Sequence, residues 1–233
     1  MSSEIARSKA DTAIEKALRR ERNLVTRLIV GFIGAPLVLF IVYSGGALFS
    51  ALLALIGVGG LLEFRKMVVR HPGAARMTLF GLAYIGVPLC LAVWLRALPE
   101  GLFWTACLLL TNWTTDTAAY FGGRVFGWRP LAPRISPNKT LEGALTGWIA
   151  GAVVGLLILL AGSHLSAQTV LFPILIALAV ILGDLFESAL KRHYAIKDAS
   201  QIIPGHGGVL DRIDGTLFAL VIGAVYLLAI GVG

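Results

Sequence analysis

The sequence predicts an all-α, polytopic integral membrane protein with about seven transmembrane helices and a cytoplasmic N-terminus. Of its 233 residues, 57% are hydrophobic and only 14% are charged, which is more apolar than a soluble domain of this size requires. Apolar runs close to the ~20 residues that cross a bilayer as a helix recur along the chain. These runs lack the alternating polarity of membrane β-strands, so each span is predicted to be helical.

Seven apolar runs set the order of the predicted helices. We place them at about 26–43, 46–63, 78–97, 101–121, 143–162, 168–186 and 215–232. In the fifth run, Gly147, Gly151 and Gly155 are spaced by four residues and give the helix one smooth face. A neighbouring helix can approach such a face closely, and the face could also serve a dimer interface.

The basic residues indicate the orientation. Of the 20 Lys and Arg residues, all but Arg96 lie before or at the very start of the first run, or in the segments after the second, fourth and sixth runs. The positive-inside rule therefore places the N-terminus and these three segments in the cytoplasm. A net charge of +7 distributed in this way argues against binding of nucleic acid. Residues 1–24 form a basic segment that either lies on the inner leaflet or remains a solvated tail.

Two features of the apolar part have ordinary interpretations. Cys90 and Cys107 lie in separate runs without a Cys/His pattern, so neither a disulfide framework nor a zinc site is expected. Glu63, close to the end of the second run, is expected to be an interfacial charge that pairs with a neighbouring base.

The first of three polar clusters lies late in the fourth run. Asp116 and Tyr120 are four residues apart and share a helix face. An acid within the membrane is a functional hypothesis by default, although Asp116 could instead hydrogen-bond a neighbouring helix.

The second cluster is the segment from Gly122 to Gly143, which contains three prolines that disfavour a helix. Ser136 and Thr140 offer hydroxyl groups and Lys139 offers a positive charge. A helix that begins near Thr140 would direct its free N–H groups at this loop, which makes the loop a suitable place for phosphate oxygens. The alternative is a basic loop that contacts lipid headgroups.

The third cluster runs from Gly183 to Gly215. A sixth helix that continues past the membrane would carry one polar stripe: Asp184, Glu187, Ser188, Lys191 and Arg192. Asp211 and Asp214 share a face at the start of the next helix, so Asp184 can meet both. Converging carboxylates repel one another unless a cation joins them, and Mg²⁺ is the natural partner. A salt-bridged helix pair would not explain the intervening glycine-rich turn, where His206 suits the loop or a phosphate better than a metal.

These clusters carry a resemblance to a known family. The stretches ESALKR, KD and PGHGGVLDRIDG resemble the signature of the phosphatidate cytidylyltransferases (CDP-diacylglycerol synthases), and DTAAYFGGRVFG and LAPRISPNKTLEG resemble the same family. Together they cover roughly residues 113–215, and the chain looks shorter than typical members on its N-terminal side. The resemblance implies transfer of CMP from CTP to phosphatidate, a Mg²⁺-dependent site with a second cation such as K⁺, and a homodimer.

The resemblance also implies roles for individual residues. The metal ligands would be Asp184, Asp211 and Asp214, and these three with Lys191 and Arg192 would be catalytic. The substrate-binding residues would be Asp116, Arg124, Ser136, Lys139, Ser188, Lys197, Asp198, His206, Gly207, Gly208 and Arg212.

The chain is accordingly divided into a basic cytoplasmic segment (1–24), N-terminal transmembrane helices (25–112) and a catalytic transmembrane region with cytoplasmic loops (113–233). The expected location is the bacterial inner membrane, with the active site facing the cytoplasm. The alternatives are a related lipid-phosphate nucleotidyltransferase or polyprenol kinase, an ion-coupled transporter that uses Asp116 and Asp184, and a structural membrane scaffold.

Overall fold

The computed structural model of this chain describes residues 32–196, 199–200, 202 and 207–232. Within them a bundle is formed by α1 (Phe32–Ser44), α2 (Gly46–Val68), α3 (Ala74–Ala97), α4 (Gly101–Phe126), α5 (Leu141–Ala161), α6 (Leu171–His193) and α7 (Leu210–Ala229). Five of these helices, α2, α3, α5, α6 and α7, are long and apolar enough to cross a membrane. The chain is therefore a helical integral membrane protein, while the count of seven crossings and the orientation of the N-terminus stay predictions.

Helix α4 is more polar than the five because it lies inside the bundle. It contacts α3, α5, α6 and α7. Its polar side chains Thr105, Thr111, Asn112 and Thr115 are all buried against these neighbours. The Nδ2 atom of Asn112 donates to Oγ1 of Thr216 on α7 at 3.2 Å. Polar residues in the fourth apolar run thus mark contact with other helices rather than contact with lipid.

The glycine column of α5 packs against α4 along most of its length. A Cβ atom added at Gly147 would lie 2.6 Å from the carbonyl oxygen of Thr115, and one added at Gly151 would overlap Oγ1 of the same threonine. The expected close approach of a neighbouring helix is confirmed. The glycine face is buried against helices of the same chain. The suggestion that this face could form a dimer interface is therefore wrong.

A small β-hairpin lies within residues 122–143, which were predicted to form a loop, and it adds two strands to a fold predicted to be all-α. Strands β1 (Pro130–Ala132) and β2 (Ser136–Thr140) pair antiparallel between α4 and α5. Both strands are edges of a two-stranded sheet, where proline is tolerated. Helix α4 also continues through Gly122 to Phe126, because Gly122 fits closely against Thr146 of α5. The predicted start of α5 is confirmed, since Oγ1 of Thr140 accepts the N–H of Gly143 at 3.1 Å.

The bundle has two chemically distinct ends. The hairpin end contains the β-hairpin, the α2–α3 turn, the end of α6 and the start of α7. The opposite end contains the α1–α2, α3–α4 and α5–α6 connections. An apolar core cluster at the hairpin end joins α2, α3 and α7 through Phe64, Ile85, Leu210 and Leu217. This cluster fixes the start of α7 against α2.

Candidate active site

The three polar clusters of the sequence meet in one cavity of 640 Å³ at the hairpin end. Its walls come from the end of α4, the hairpin, the start of α5, α6 and the first turns of α7. Eight of the predicted site residues line it: Asp116, Arg124, Ser136, Lys139, Asp184, Asp211, Arg212 and Asp214. Segments that are far apart in the sequence therefore form a single site.

Two glycines allow the carboxylates of α6 and α7 to share this cavity. A Cβ atom at Gly183 would lie 2.7 Å from the carbonyl oxygen of Asp214, and one at Gly215 would lie 2.9 Å from that of Val180. Any larger side chain at either position would push the two helices apart. Each glycine is adjacent in sequence to an acidic residue, so the close crossing brings Asp184 and Asp214 to the same space.

Lys139 joins the hairpin to α6. Its Nζ atom lies 2.5 Å from Oδ1 of Asp184 and donates to Oγ of Ser188 at 3.2 Å. Both partners of the ion pair remain partly accessible, with the Asp184 side chain 37% exposed. The pair therefore lies where a ligand can reach it.

Lys191 and Asp211 form a second, more buried ion pair. The Nζ atom of Lys191 lies 2.6 Å from Oδ1 of Asp211. The carboxylate of Asp211 also accepts the N–H groups of Gly208 at 2.9 Å and Ala199 at 3.2 Å. Asp211 is therefore held from three sides, and Gly208 and Gly207 lie directly beside it.

Glu187 is a buried acid to which the sequence assigned no role. Its side chain has no exposed surface, and the Nζ atom of Lys191 lies 3.4 Å from its Oε1 atom. Within the described residues, neither carboxylate oxygen has a hydrogen bond, which leaves this long ion pair as the charge compensation. The sequence pattern that could have indicated a role for Glu187 is its position on the polar stripe, three residues after Asp184 and four before Lys191.

Not every predicted residue lies in the cavity. Arg192 is outside it, and its guanidinium group donates to the carbonyl oxygens of Ile135 at 3.0 Å and Ile196 at 3.3 Å. Arg192 therefore links the hairpin to the end of α6 by hydrogen bonds to backbone carbonyl groups and does not face the cavity. Ser188 and Lys191 contact cavity residues without lining the cavity. The predicted residues Lys197, Asp198 and His206, and the segment 1–24, lie outside the described residues.

The cavity also contains residues that the sequence did not single out as binding groups. Tyr120 and Asn138 line it, next to Thr140, whose hydroxyl group was predicted to be available to phosphate oxygens. The hydroxyl oxygen of Tyr120 lies 3.4 Å from an Nη1 atom of Arg124, which donates to it. Their sequence signal was proximity, since Tyr120 shares a face with Asp116, and Asn138 and Thr140 flank Lys139.

Two glutamates near the site accept hydrogen bonds from backbone N–H groups of the protein and do not line the cavity. Glu142 accepts the N–H groups of Trp128 at 3.3 Å and Arg129 at 3.2 Å, and Nε of Arg129 at 2.8 Å, which fixes the base of the hairpin to α5. Glu63 was expected to be an interfacial charge beside a base. This expectation is wrong, because Glu63 is fully buried and accepts N–H groups at the start of α7.

The donor set can be compared with what a metal requires. Asp116, Asp184, Asp211 and Asp214 supply hard oxygen donors, the class that Mg²⁺ prefers. Within the described residues, however, no three acidic, His or Cys side chains lie close enough together to form a ready-made metal site. Lysines hold two of the carboxylates instead. The chemistry of the donors fits a divalent cation, and the ligand trio Asp184, Asp211 and Asp214 stays a prediction.

Comparisons with known proteins find relatives that match most of this chain. Residues 71–230, which include every predicted site residue, match the sequence model of the cytidylyltransferase family. A phosphatidate cytidylyltransferase of Rickettsia conorii is 33% identical over 212 residues, covering 88% of this chain and 91% of that protein. One from Rickettsia prowazekii is 35% identical over 211 residues, with 87% and 91% covered. One from Staphylococcus saprophyticus is 41% identical over 148 residues, which cover 63% of this chain and only 56% of that relative.

Proposed function

This chain belongs to the cytidylyltransferase family, and from that membership we propose that it transfers the cytidylyl group of CTP to phosphatidate. The products are CDP-diacylglycerol and pyrophosphate. The observation that carries the proposal is a single cavity. In it the end of α4 and the hairpin meet the acidic residues of α6 and of the first turns of α7. The site faces the cytoplasm from the inner membrane of a bacterium in this proposal, and the enzyme acts as a homodimer.

The cations of the cavity offset the repulsion between two anionic substrates. Arg124, Lys139 and Arg212 line it together with the hydroxyl group of Ser136. The phosphate of phosphatidate is already a nucleophile, so the reaction requires no serine or cysteine. One of its oxygens forms a bond to the α-phosphorus of CTP while the bond from that phosphorus to the pyrophosphate oxygen breaks. Holding the two reactants in line is then the main task of the protein.

The carboxylates supply the complementary charge. We assign Asp184, Asp211 and Asp214 as the residues that would hold Mg²⁺, with K⁺ as the candidate second cation. Mg²⁺ would supply charge neutralisation on the phosphates and on the leaving pyrophosphate. Lys191 fixes the orientation of the Asp211 carboxylate, and Lys139 does the same for Asp184.

The surroundings of the cavity support a lipid as one substrate. Tyr120 and Arg124 line the cavity, and Phe121, Val125 and Phe126 are exposed on the same final turns of α4. Aromatic and apolar side chains beside an arginine are typical of the membrane interface. A lipid phosphate can therefore reach the cavity while its acyl chains stay in the bilayer.

The test is an assay of the purified protein with labelled CTP, phosphatidate vesicles and Mg²⁺. We expect equal amounts of CDP-diacylglycerol and pyrophosphate, loss of both with a chelator, and recovery when Mg²⁺ is returned in excess. Formation of a CDP-lipid only from another lipid phosphate would replace the acceptor. Transfer of the γ-phosphate to a polyprenol, or flux across sealed vesicles without lipid chemistry, would replace the reaction.

A further inference from the structure

Glu63 is an acid placed where an apolar helix would not ordinarily carry one. It lies near the end of α2 and has no exposed surface. A buried carboxylate is costly unless donors compensate it. Three donors do so here: Oγ of Ser200 at 2.5 Å, N–H of Val209 at 2.9 Å and N–H of Leu210 at 2.8 Å.

Two of these donors lie at the start of α7, where Val209 precedes the helix and Leu210 is its first residue. The third, Ser200, belongs to the segment between α6 and α7. The first N–H groups of a helix have no partner within the helix, and the N-terminal end carries partial positive charge. Val209, the residue at the cap position of α7, provides no side-chain cap. The carboxylate of Glu63 performs this function from a different helix, which anchors the start of α7 to α2.

The anchor lies next to the acidic part of the cavity. A Cβ atom at Gly208 would lie 2.8 Å from Oε2 of Glu63 and 3.1 Å from Oδ2 of Asp211. The N–H of Gly208 donates to that same oxygen of Asp211 at 2.9 Å. Gly208 therefore separates two carboxylates, one that holds the helix and one that lines the cavity. A shift of the anchor moves Asp211, and Asp214 one turn further along.

We propose that Glu63 is a positioning residue that holds the first turns of α7 so that Asp211 and Asp214 face the cavity. The residue lies outside the segment 71–230 that matches the family. The inference rests on the proposed function, because it assigns to Glu63 an effect on the cation and nucleotide side of that reaction. The site would then depend on Glu63 in addition to the residues of the family signature.

Glu63→Gln is the main test, with Glu100→Gln as its matched control. Glutamine keeps the shape but points an NH₂ group at N–H donors. Glu100 lies at the opposite end of the bundle with its side chain 60% exposed. We expect amide exchange in peptides covering 207–214 to rise about tenfold in Glu63→Gln, the scale of losing a hydrogen bond to a charged acceptor. We expect no change in the control.

Kinetics then separate positioning from general stability. In Glu63→Gln, the Mg²⁺ concentration for half-maximal rate should rise about tenfold while KM for phosphatidate changes by less than about twofold. A variant that is merely less stable would lose kcat alone, with the Mg²⁺ dependence intact, and this result would overturn the proposal. Unchanged exchange at Val209 and Leu210 would also overturn it.

A milder variant covers the case in which Glu63→Gln does not fold. Ser200→Ala removes only the hydroxyl donor and should shift the Mg²⁺ dependence about threefold; no shift would count against the proposal. The exchange measurement requires no turnover. An inactive wild-type protein would therefore refute the proposed reaction, while the exchange data would still decide whether Glu63 holds α7.

Discussion

The two ends of the bundle use polar side chains in different ways. At the opposite end, Arg96 donates to the carbonyl oxygens of Val42 and Tyr43, each at 2.8 Å, and so closes the end of α1. At the hairpin end, Lys139 pairs with Asp184 and Lys191 with Asp211 around a cavity. Backbone carbonyls are permanent partners, whereas a charged side chain beside a cavity can exchange its partner for a ligand. The first end therefore stabilises the fold, and the second is available for chemistry.

The largest expected effect is at the hairpin end, in Asp214→Asn and Asp211→Asn. Each change keeps the size of the side chain and removes a negative charge that the proposed cation requires. We expect the rate of CDP-diacylglycerol formation to fall at least about 10³-fold in each variant, although the protein still folds. Asp211→Asn should also lower the thermal unfolding temperature in detergent, because it leaves the buried ammonium group of Lys191 without its closest carboxylate. Near-normal turnover of either variant at saturating Mg²⁺ would refute the metal assignment and remove the contrast between the two ends.

The next largest effect is expected for Lys139→Ala. The variant loses the cation that contacts both Asp184 and Ser188, so the hairpin no longer presents a positive charge to a phosphate. We expect kcat/KM for CTP to fall about 10²-fold, the usual scale for one donor to a transition-state anion. Arg134→Ala, an exposed arginine on the same hairpin, is the control. Equal losses in both variants would indicate general attraction by the basic hairpin instead of a specific contact.

A third change tests the scaffold shared by both ends. Gly151→Leu places a side chain where Thr115 and Thr111 of α4 already lie. We expect a loss of unfolding free energy of about 1–3 kcal/mol or more, because overpacking forces the helices apart. Thermal unfolding in detergent measures it. Val153→Leu, on the outward face of the same helix, should unfold like the wild type; an equal loss there would mean that α5 is sensitive on every face.

The smallest effect is expected at the opposite end, in Arg96→Ala. Two carbonyl oxygens at the end of α1 lose their donors, which should cost about 1–3 kcal/mol of stability. The rate per folded molecule should stay at the wild-type value, because the change lies far from the cavity. The measurement is activity normalised to folded protein, next to the unfolding temperature. A fall in the normalised rate would show that the two ends are coupled.

Much of the candidate site could be predicted from the sequence because helical spacing fixes it. Asp184 and Lys191 were placed on one stripe of α6, and Asp211 and Asp214 on one face of α7, and the structure arranges them so. Gly147 and Gly151 predicted a close helix contact for the same reason. Such local patterns can be predicted because the backbone geometry of a helix sets which residues share a face, whatever the helix packs against.

Contacts between distant segments could not be predicted in the same way. Glu63 gave no local sign that its partners would be the N–H groups of Val209 and Leu210, because a helix end has no sequence pattern for an acceptor supplied by another helix. The hairpin was missed because its prolines disfavour a helix without specifying strand pairing. Gly122 was interpreted as a loop residue, whereas packing against α5 makes glycine useful within α4.

Lys139 neutralises Asp184 as part of the fold itself. An arriving cation that takes the same oxygen of Asp184 displaces this ammonium group, which already contacts Ser188 and belongs to a residue that lines the cavity. The displaced ammonium is then free to meet an arriving anion. We expect this exchange to keep the charge of a partly buried space nearly constant. One lysine would thus couple the entry of two ligands of opposite sign.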